Sequence, residues 1–397
     1  LVGGGPYVPT YAVTTGPPSG HGVFTSGEQT VTITSMGTIA VQNPEYCNPA
    51  AGACPVGANT VNKFVDRDFG FGASGTVTLG DLGDITGWCT WGDPITCTIP
   101  ADTYVGPVPA ANTVGGRQLT VTRANGQSTI AGVTVQVGLR PGANAVVVGP
   151  DTPRAMAPLD QTIQDAIDAA GPNDLIMVRP SVYNELVVMW KPVQLQGFGE
   201  GSTTINAVKA PFDKLQIWRD LVDGLIAAGN VDLLPGQEVA PGAPEPVTLW
   251  TEEGAGVLVL ARASGSFAFD HQTLQGNNAQ SNRGARIDGF TIKSADTGGG
   301  IIANGYARSL DISNNRIANN TGTYAGGIRI GHPFLTDPDE LSYVDGENDF
   351  VSIHNTQVVF NGGLDGAGGG ISMCTGADSY AIESNWVCGN FSIGNGG

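Results

Sequence analysis

Residues 286–292, 311–317, 352–358 and 381–387 repeat one pattern, with an aliphatic residue at the second place and another five residues later. Gly-Gly-Ile recurs between them at 299–301, 326–328 and 369–371. The step is 25–29 residues, except where residues 331–349 lengthen one turn. A period of this size built from short strand-like blocks constrains the chain to a solenoid, in which each coil buries its apolar face on the next. Ile312, Ile353 and Ile382 are expected to stack inward. Asn314 and Asn355 fall in register and predict a hydrogen-bonded Asn ladder at a coil corner.

Residues 162–207 read as the start of the same coil. Ile163, Ala166, Ile167 and Ala170 form one helical stripe, which Gly171-Pro172 ends. Short apolar strands follow at Leu175–Val178, 186–189, 193–195 and 203–205, separated by Gly, Pro and Asn. The phrases Asn173-Asp174-Leu175-Ile176 and Pro180-Ser181-Val182-Tyr183-Asn184-Glu185 resemble the opening of right-handed parallel β-helix proteins of the pectin-lyase-like class. Ser181 stands where that class carries Gly. The resemblance implies an N-terminal helix capping the first coil. It also implies a group that includes pectate lyases and polygalacturonases as well as surface proteins without catalysis, so fold alone does not decide function. A second amphipathic helix is predicted at 212–228, inside an insertion at about 208–256. A strand at 257–260 resumes the coil, and residues 267–283 read as a polar surface excursion. Trp190 and Trp218 read as core or docking residues.

The N-terminal part is a different unit. Residues 1–24 are rich in Gly, Pro and Thr and read as an extended arm. Alternating strands are predicted at 30–34, Gly75–Leu79, Ile95–Ile99, 118–122 and Val133–Val137, which argues for a β-sandwich over 25–140. Phe69-Gly70-Phe71-Gly72, the run at 76–80, Thr86-Gly87-Trp88 and the runs at 95–100 and 119–126 resemble the IPT/TIG type of immunoglobulin-like domain. That resemblance implies a spacer or binding module. The expected fold is therefore all-β: an immunoglobulin-like β-sandwich, then a right-handed parallel β-helix over 141–397 that is incomplete at its C-terminal end. Its last coil, 380–397, carries Ile382, Trp386, Val387 and Ile393. Further copies of the chain or downstream sequence are expected to cover it.

A formal charge of -18 with no basic patch excludes nucleic acid as a partner. No apolar run approaches the ~20 residues of a membrane helix. The six cysteines fall in local pairs, and 47–54, 89–97 and 374–388 are the economical disulfides. That usage points to an oxidising, extracellular or cell-surface setting. Asn319-Asn320-Thr321 and Asn390-Phe391-Ser392 match the N-glycosylation pattern.

Strand alternation puts Arg286, Asp311, Ser352 and Ala381 in one outward column and Asp288, Ser313, His354 and Glu383 in the next. Arg286, Asp288, Asp311, His354 and Glu383 are the candidate acid–base residues, with Arg286 facing Asp311 and His354 facing Glu383. The column after Gly-Gly, formed by Ile302, Arg329 and Ser372, has no acid. The loop at 331–349 carries Asp337, Asp339, Glu340, Asp345, Glu347 and Asp349, hard oxygen donors that suit calcium. Arg329 and His332 at its base could pair with it. Gly197-Phe198-Gly199-Glu200-Gly201 reads as a coil turn, because no P-loop Lys accompanies it. His21 has no partner in the arm. The sequence thus supports a secreted or cell-surface structural or adhesive β-helix, one that binds polysaccharide or serves as a scaffold of a larger extracellular assembly. A polysaccharide lyase or glycosidase is the alternative.

Overall fold

The computed structural model of the chain describes residues 7–10, 29–35, 37–43, 45–80, 83–99, 115–129, 132–137, 143–152, 161–240, 242–244, 246–269, 285–339, 342–364 and 368–393. His21, Glu340 and most of the 267–283 excursion lie outside these residues.

The C-terminal unit is a parallel β-helix. A first wall of seven strands runs in the order Ala145–Val148, Leu175–Val178, Gln194–Gly197, Arg286–Asp288, Asp311–Ser313, Ser352–His354 and Ala381–Glu383. The second wall has six strands, from Ser181–Tyr183 to Trp386–Cys388, and the third has five, from Val187–Met189 to Ile371–Met373. Every pairing in these walls is parallel, and neighbouring strands come from successive coils. Strands of three or four residues suffice because each coil contributes only a rung, with its apolar side chain turned inward. Leu195, Ile287, Ile312, Ile353 and Ile382 are register partners in one such inward stack. Ile312 and Ile353 are fully buried, whereas Ile382 on the last coil is 41% exposed. Among the described residues no further strand lies over it.

The helix Thr162–Ala169 caps the first coil through Ile163 and Ile167, both fully buried. The Glu185 carboxylate accepts from the backbone N–H of Ile163 and Gln164 at 3.0–3.1 Å. A carboxylate here satisfies otherwise orphaned donors and complements the helix dipole. This gives the Glu of the Val-Tyr-Asn-Glu phrase a structural role. The second helix, Asp213–Ala227, packs Trp218, Val222 and Leu225 inward, and Trp218 lies against Trp250 at 6.1 Å between ring centroids. Both Trp190 and Trp218 are buried, as expected.

The N-terminal unit is antiparallel throughout its described strands. Gln29–Ser35 pairs with Ile95–Ile99, Gly75–Leu79 with Gly115–Arg123, and the latter with Val133–Val137. Ile33, Phe71, Val77, Leu79, Ile95, Leu119, Val121 and Val135 form its core, separate from that of the β-helix. Tyr7–Thr10, expected in the extended arm, instead pairs as a strand along Gln29–Ser35. Cys47–Cys54 and Cys89–Cys97 are disulfides. The expected 374–388 bond is absent. The reason is positional. Cys374 follows the third-wall strand Ile371–Met373, while Cys388 lies in the second-wall strand Trp386–Cys388. Their separation by about one coil in sequence does not bring them to one wall.

The corner ladder is also displaced by one residue from its predicted place. Asn314 and Asn355 occupy left-handed backbone at φ 55° and 49°, a conformation Asn tolerates better than most residues. The stacked side chains are those of the next residues. Asn315 accepts from Phe290 N at 3.0 Å and donates to Ile287 O at 2.8 Å. Asn385 accepts from Thr356 N at 2.9 Å and donates to Ile353 O at 2.7 Å. A second corner repeats the device. Asn320 clamps Ala295 N and Ile292 O, Asn361 clamps Asn320 N and Ile317 O, and Asn390 clamps Asn361 N and Val358 O. Each carboxamide ties its own coil to the one before it.

Candidate functional site

The first wall carries the outward polar columns marked by the sequence. Register pairs Arg286 with Asp311 and His354 with Glu383, as expected. These columns are not an open groove. Gln194, Gln196, Arg286, Asp288, Asp311, Ser313, Ser352 and His354 are all at most 6% exposed. Two strands of the N-terminal unit, Gly115–Arg123 and Val133–Val137, supply groups that meet them. Gln118 and Asn314 exchange reciprocal amide hydrogen bonds at 2.7 and 2.9 Å, and Gly132 N donates to Asn314 Oδ1 at 2.9 Å. Thr134 Oγ1 donates to Asp288 Oδ2 at 2.5 Å, and its carbonyl accepts from Gln196 Nε2 at 2.9 Å. A Cβ added to Gly116 would lie 2.0 Å from Arg286 Nη1 and 2.5 Å from Thr134 Cγ2, so any larger residue there must displace these side chains.

Within this seam Asp288 Oδ2 also accepts from Ser313 Oγ at 2.6 Å and Asn314 Nδ2 at 2.9 Å. Arg286 Nη2 donates to Gln196 Oε1 at 2.6 Å. His354 does not use Glu383, which is exposed. Its Nε2 lies 3.0 Å from Asp311 Oδ1, an ion-pair contact outside hydrogen-bond alignment, and its Nδ1 meets Asn355 Oδ1 at 2.9 Å. The ring turns toward Asp311 because that carboxylate is buried, where attraction between charges is less screened than at the exposed Glu383. Burial opposes the imidazolium, but Asp311, Asn355 and Asp288 outweigh it and push the His354 pKa up to about 9. The arrangement can hold a proton and a fixed docking register. It offers a polysaccharide no path to Asp288 or Asp311.

The third wall is covered as well. Ile302 and Arg329 are at most 1% exposed. Gln237, from the 208–256 insertion, makes a reciprocal amide pair with Asn304 at 3.0 and 2.9 Å. His332 cannot pair with the acidic loop as an imidazolium. Burial, then the neighbouring Arg329, drives its pKa down to about 3, and its Nδ1 accepts from Phe334 N and Leu335 N at 3.2 and 3.0 Å. Arg329 lies over the Tyr324 ring at 5.5 Å. In the loop, Asp337 Oδ1 accepts from Asp339 N and Asp345 Oδ1 from Glu347 N, both at 2.9 Å, and Glu347 pairs with Arg308. Among the described residues no three or more His, Cys, Asp or Glu side chains are gathered to hold a metal ion.

The second wall is the more open one. Its outward Thr291, Arg316, Gln357 and Trp386 are register partners in successive coils, and all are partly exposed. Glu200, from the turn after Gln194–Gly197, reaches across them. Its Oε1 accepts from Gln357 Nε2 at 2.8 Å, Arg316 Nη1 donates to Gln357 Oε1 at 3.2 Å, and Thr291 Oγ1 donates to Glu200 O at 2.6 Å. Burial pushes the Glu200 carboxyl up to about 7 against the pull of Arg316 and Gln357. Sequence reasoning passed over Glu200 because it sits in a Gly-rich turn with no periodic signal. The glycosylation-type Asn390 is already engaged at both ends of its carboxamide by the corner ladder.

No family model matches the chain, and no curated protein matches it. Among solved structures, the family 28 exopolygalacturonase of Yersinia enterocolitica aligns over 98% of this chain and 86% of its own, at 10% identity and a TM-score of 0.20. A likeness of that size carries no argument. The class rests on the strand pairing itself, which makes this a mostly β protein built on a parallel β-helix.

Proposed function

We propose that the chain is an extracellular or cell-surface structural protein, a β-helix rod whose N-terminal unit acts as a fixed, immunoglobulin-like spacer or adhesive module. One observation carries this reading: the polar columns of the first wall are closed by the N-terminal unit through Gln118, Gly132 and Thr134. A lyase or glycosidase needs its acids within reach of substrate. The two disulfides support an oxidising setting, and no described helix is long and apolar enough to cross a membrane.

The second reading is a polysaccharide enzyme of the pectin-lyase-like class. It is favoured by Glu200, a carboxyl near 7 beside Arg316 on the more open wall, since a general acid works best with a pKa near the operating pH. Incubation of the purified protein with polygalacturonate and other pectic substrates, with and without calcium, separates the two. The expected result is no unsaturated or reducing ends. Product release that is lost in Glu200→Gln would establish the second reading instead.

A further inference from the structure

The chain leaves the second wall in the same way on four coils. The residue after each of the strands Thr291–Lys293, Arg316–Ala318, Gln357–Val359 and Trp386–Cys388 lies in left-handed backbone. These are Ser294, Asn319, Phe360 and Gly389, at φ 70°, 57°, 58° and 67°. They form one column, because the strands before them pair in register. The left-handed turn divides the corner between two neighbours. In the second, fourth and sixth corner clamps the next residue, Asn320, Asn361 or Asn390, aims its carboxamide at the coil before. The left-handed residue itself stands on the outside. Ala318 and Asn320 are buried, and Asn319 between them is exposed. Asn319 is the carboxamide of this outer column. Its backbone is held, with its carbonyl accepting from Ser294 N at 3.2 Å. Among the described residues no hydrogen bond engages its side chain.

The pattern Asn-X-Ser/Thr occurs twice in the chain, at Asn319-Asn320-Thr321 and Asn390-Phe391-Ser392. The structure separates the two. The Asn390 carboxamide is engaged on both atoms. Its Oδ1 accepts from Asn361 N and Asn361 Nδ2 at 2.9 and 3.0 Å, and its Nδ2 donates to Val358 O at 2.8 Å. A sugar on that nitrogen would be forced between neighbouring coils. At Asn319 the carboxamide is on the exposed outer column, and Thr321 is fixed two residues on by its N–H, which donates to Ala295 O at 2.7 Å. We propose that Asn319 is the acceptor of an N-linked glycan and that Asn390 is not. This rests on the extracellular reading above, because the donor, an oligosaccharide carried on a lipid pyrophosphate, is met in a secretory compartment. Asn319 Nδ2 attacks C1 of the first N-acetylhexosamine. The Nδ2–C1 bond forms and the C1–O bond to the pyrophosphate breaks. One Nδ2 proton passes to a base of the transferase, and the lipid pyrophosphate leaves with the electron pair. The glycan then stands outside the rod, three residues from Arg316 on the more open wall, and both Asn ladders keep their hydrogen bonds.

The test uses the full chain, sent through the secretory pathway of insect or mammalian cells by a cleavable leader. Enzymatic release of N-glycans in heavy-oxygen water turns each former acceptor into a labelled Asp, which peptide mapping locates. Label is expected at position 319 in most molecules and at position 390 at least tenfold less often. Thr321→Ala should abolish the label at 319. Thr321→Ser, which keeps the hydroxyl of the pattern, should retain it, and neither change removes a ladder Asn. A bare Asn319 in protein whose Cys47–Cys54 and Cys89–Cys97 bonds are formed would overturn the assignment and leave the extracellular reading standing. Equal label at 319 and 390 would show that the corner does not select between them and would also overturn it. Free thiols at all four of those cysteines would overturn the extracellular reading and the assignment with it.

Discussion

Asn361→Ala is expected to destabilise the β-helix by about 3 kcal/mol. Asn361 is fully buried. Its Oδ1 accepts from Asn320 N at 3.1 Å and its Nδ2 donates to Ile317 O at 2.9 Å. Alanine leaves both backbone groups buried and unsatisfied, and each costs about 1–3 kcal/mol. Asn390→Ala removes the same clamp from the half-exposed last coil, where water can replace it, and is expected to cost less than about 1 kcal/mol. Denaturant midpoints of the two variants measure the difference. Equal, small losses would mean that strand pairing and apolar stacking alone hold the coils in register.

Stability should fall as pH rises from 7 to 9. The His354 pKa is about 9 in the folded chain against an ordinary 6.5, because Asp311 and Asp288 face it within the seam. Below 6.5 the imidazolium exists in folded and unfolded chains alike, and its pairing counts in full. Between 6.5 and about 9 only the folded chain holds the proton, so the contribution drains away with rising pH. The whole shift corresponds to about 3 kcal/mol at roughly 1.4 kcal/mol per pH unit. Glu200, raised from 4.5 to about 7, acts in the same direction between those values. His332, lowered to about 3, acts oppositely, and its contribution is lost as pH falls from 6.5. Above pH 7 Glu200 completes its titration, so the difference between the native sequence and His354→Gln from 7 to 9 isolates His354. Chemical denaturation at both ends should show the loss in the native sequence and little of it in His354→Gln. A flat profile would remove the charged pair from the account.

Much of the fold was legible because the β-helix writes its period into short-range patterns. The helix that caps the first coil, the strands Leu175–Val178 and Val133–Val137, and the inward Ile312 and Ile353 follow from apolar spacing and turn residues. The corner ladder was nearly legible. Asn314-Asn315 places two Asn side by side, one chosen for left-handed backbone and the other for the clamp, and sequence does not say which is which. The site was less legible for a different reason. The charged columns of the first wall are periodic and therefore visible, but what closes them comes from residues more than 150 positions away, Thr134 on Asp288 and Gln118 on Asn314. Alternation says that a side chain points away from the coil and nothing about what meets it there. Cys374 and Cys388 failed similarly, since closeness in sequence did not put them on one wall. Glu200 carried no signal because its surroundings are assembled from three later coils.

The N-terminal unit seals the polar columns of the β-helix through Gln118, Gly132 and Thr134. Ser313 lies in that seam at 1% exposure, bonded to Asp288, while the native Cys388 is exposed and serves as an internal reference. In Ser313→Cys, maleimide labelling mapped by mass spectrometry should modify Cys388 quickly and the new thiol at least a hundredfold more slowly. Adding Gly116→Trp, which drives a large side chain into Arg286 and Thr134, should abolish that protection. Equal labelling of both thiols without the Gly116 change would show the columns open to solvent and contradict the account.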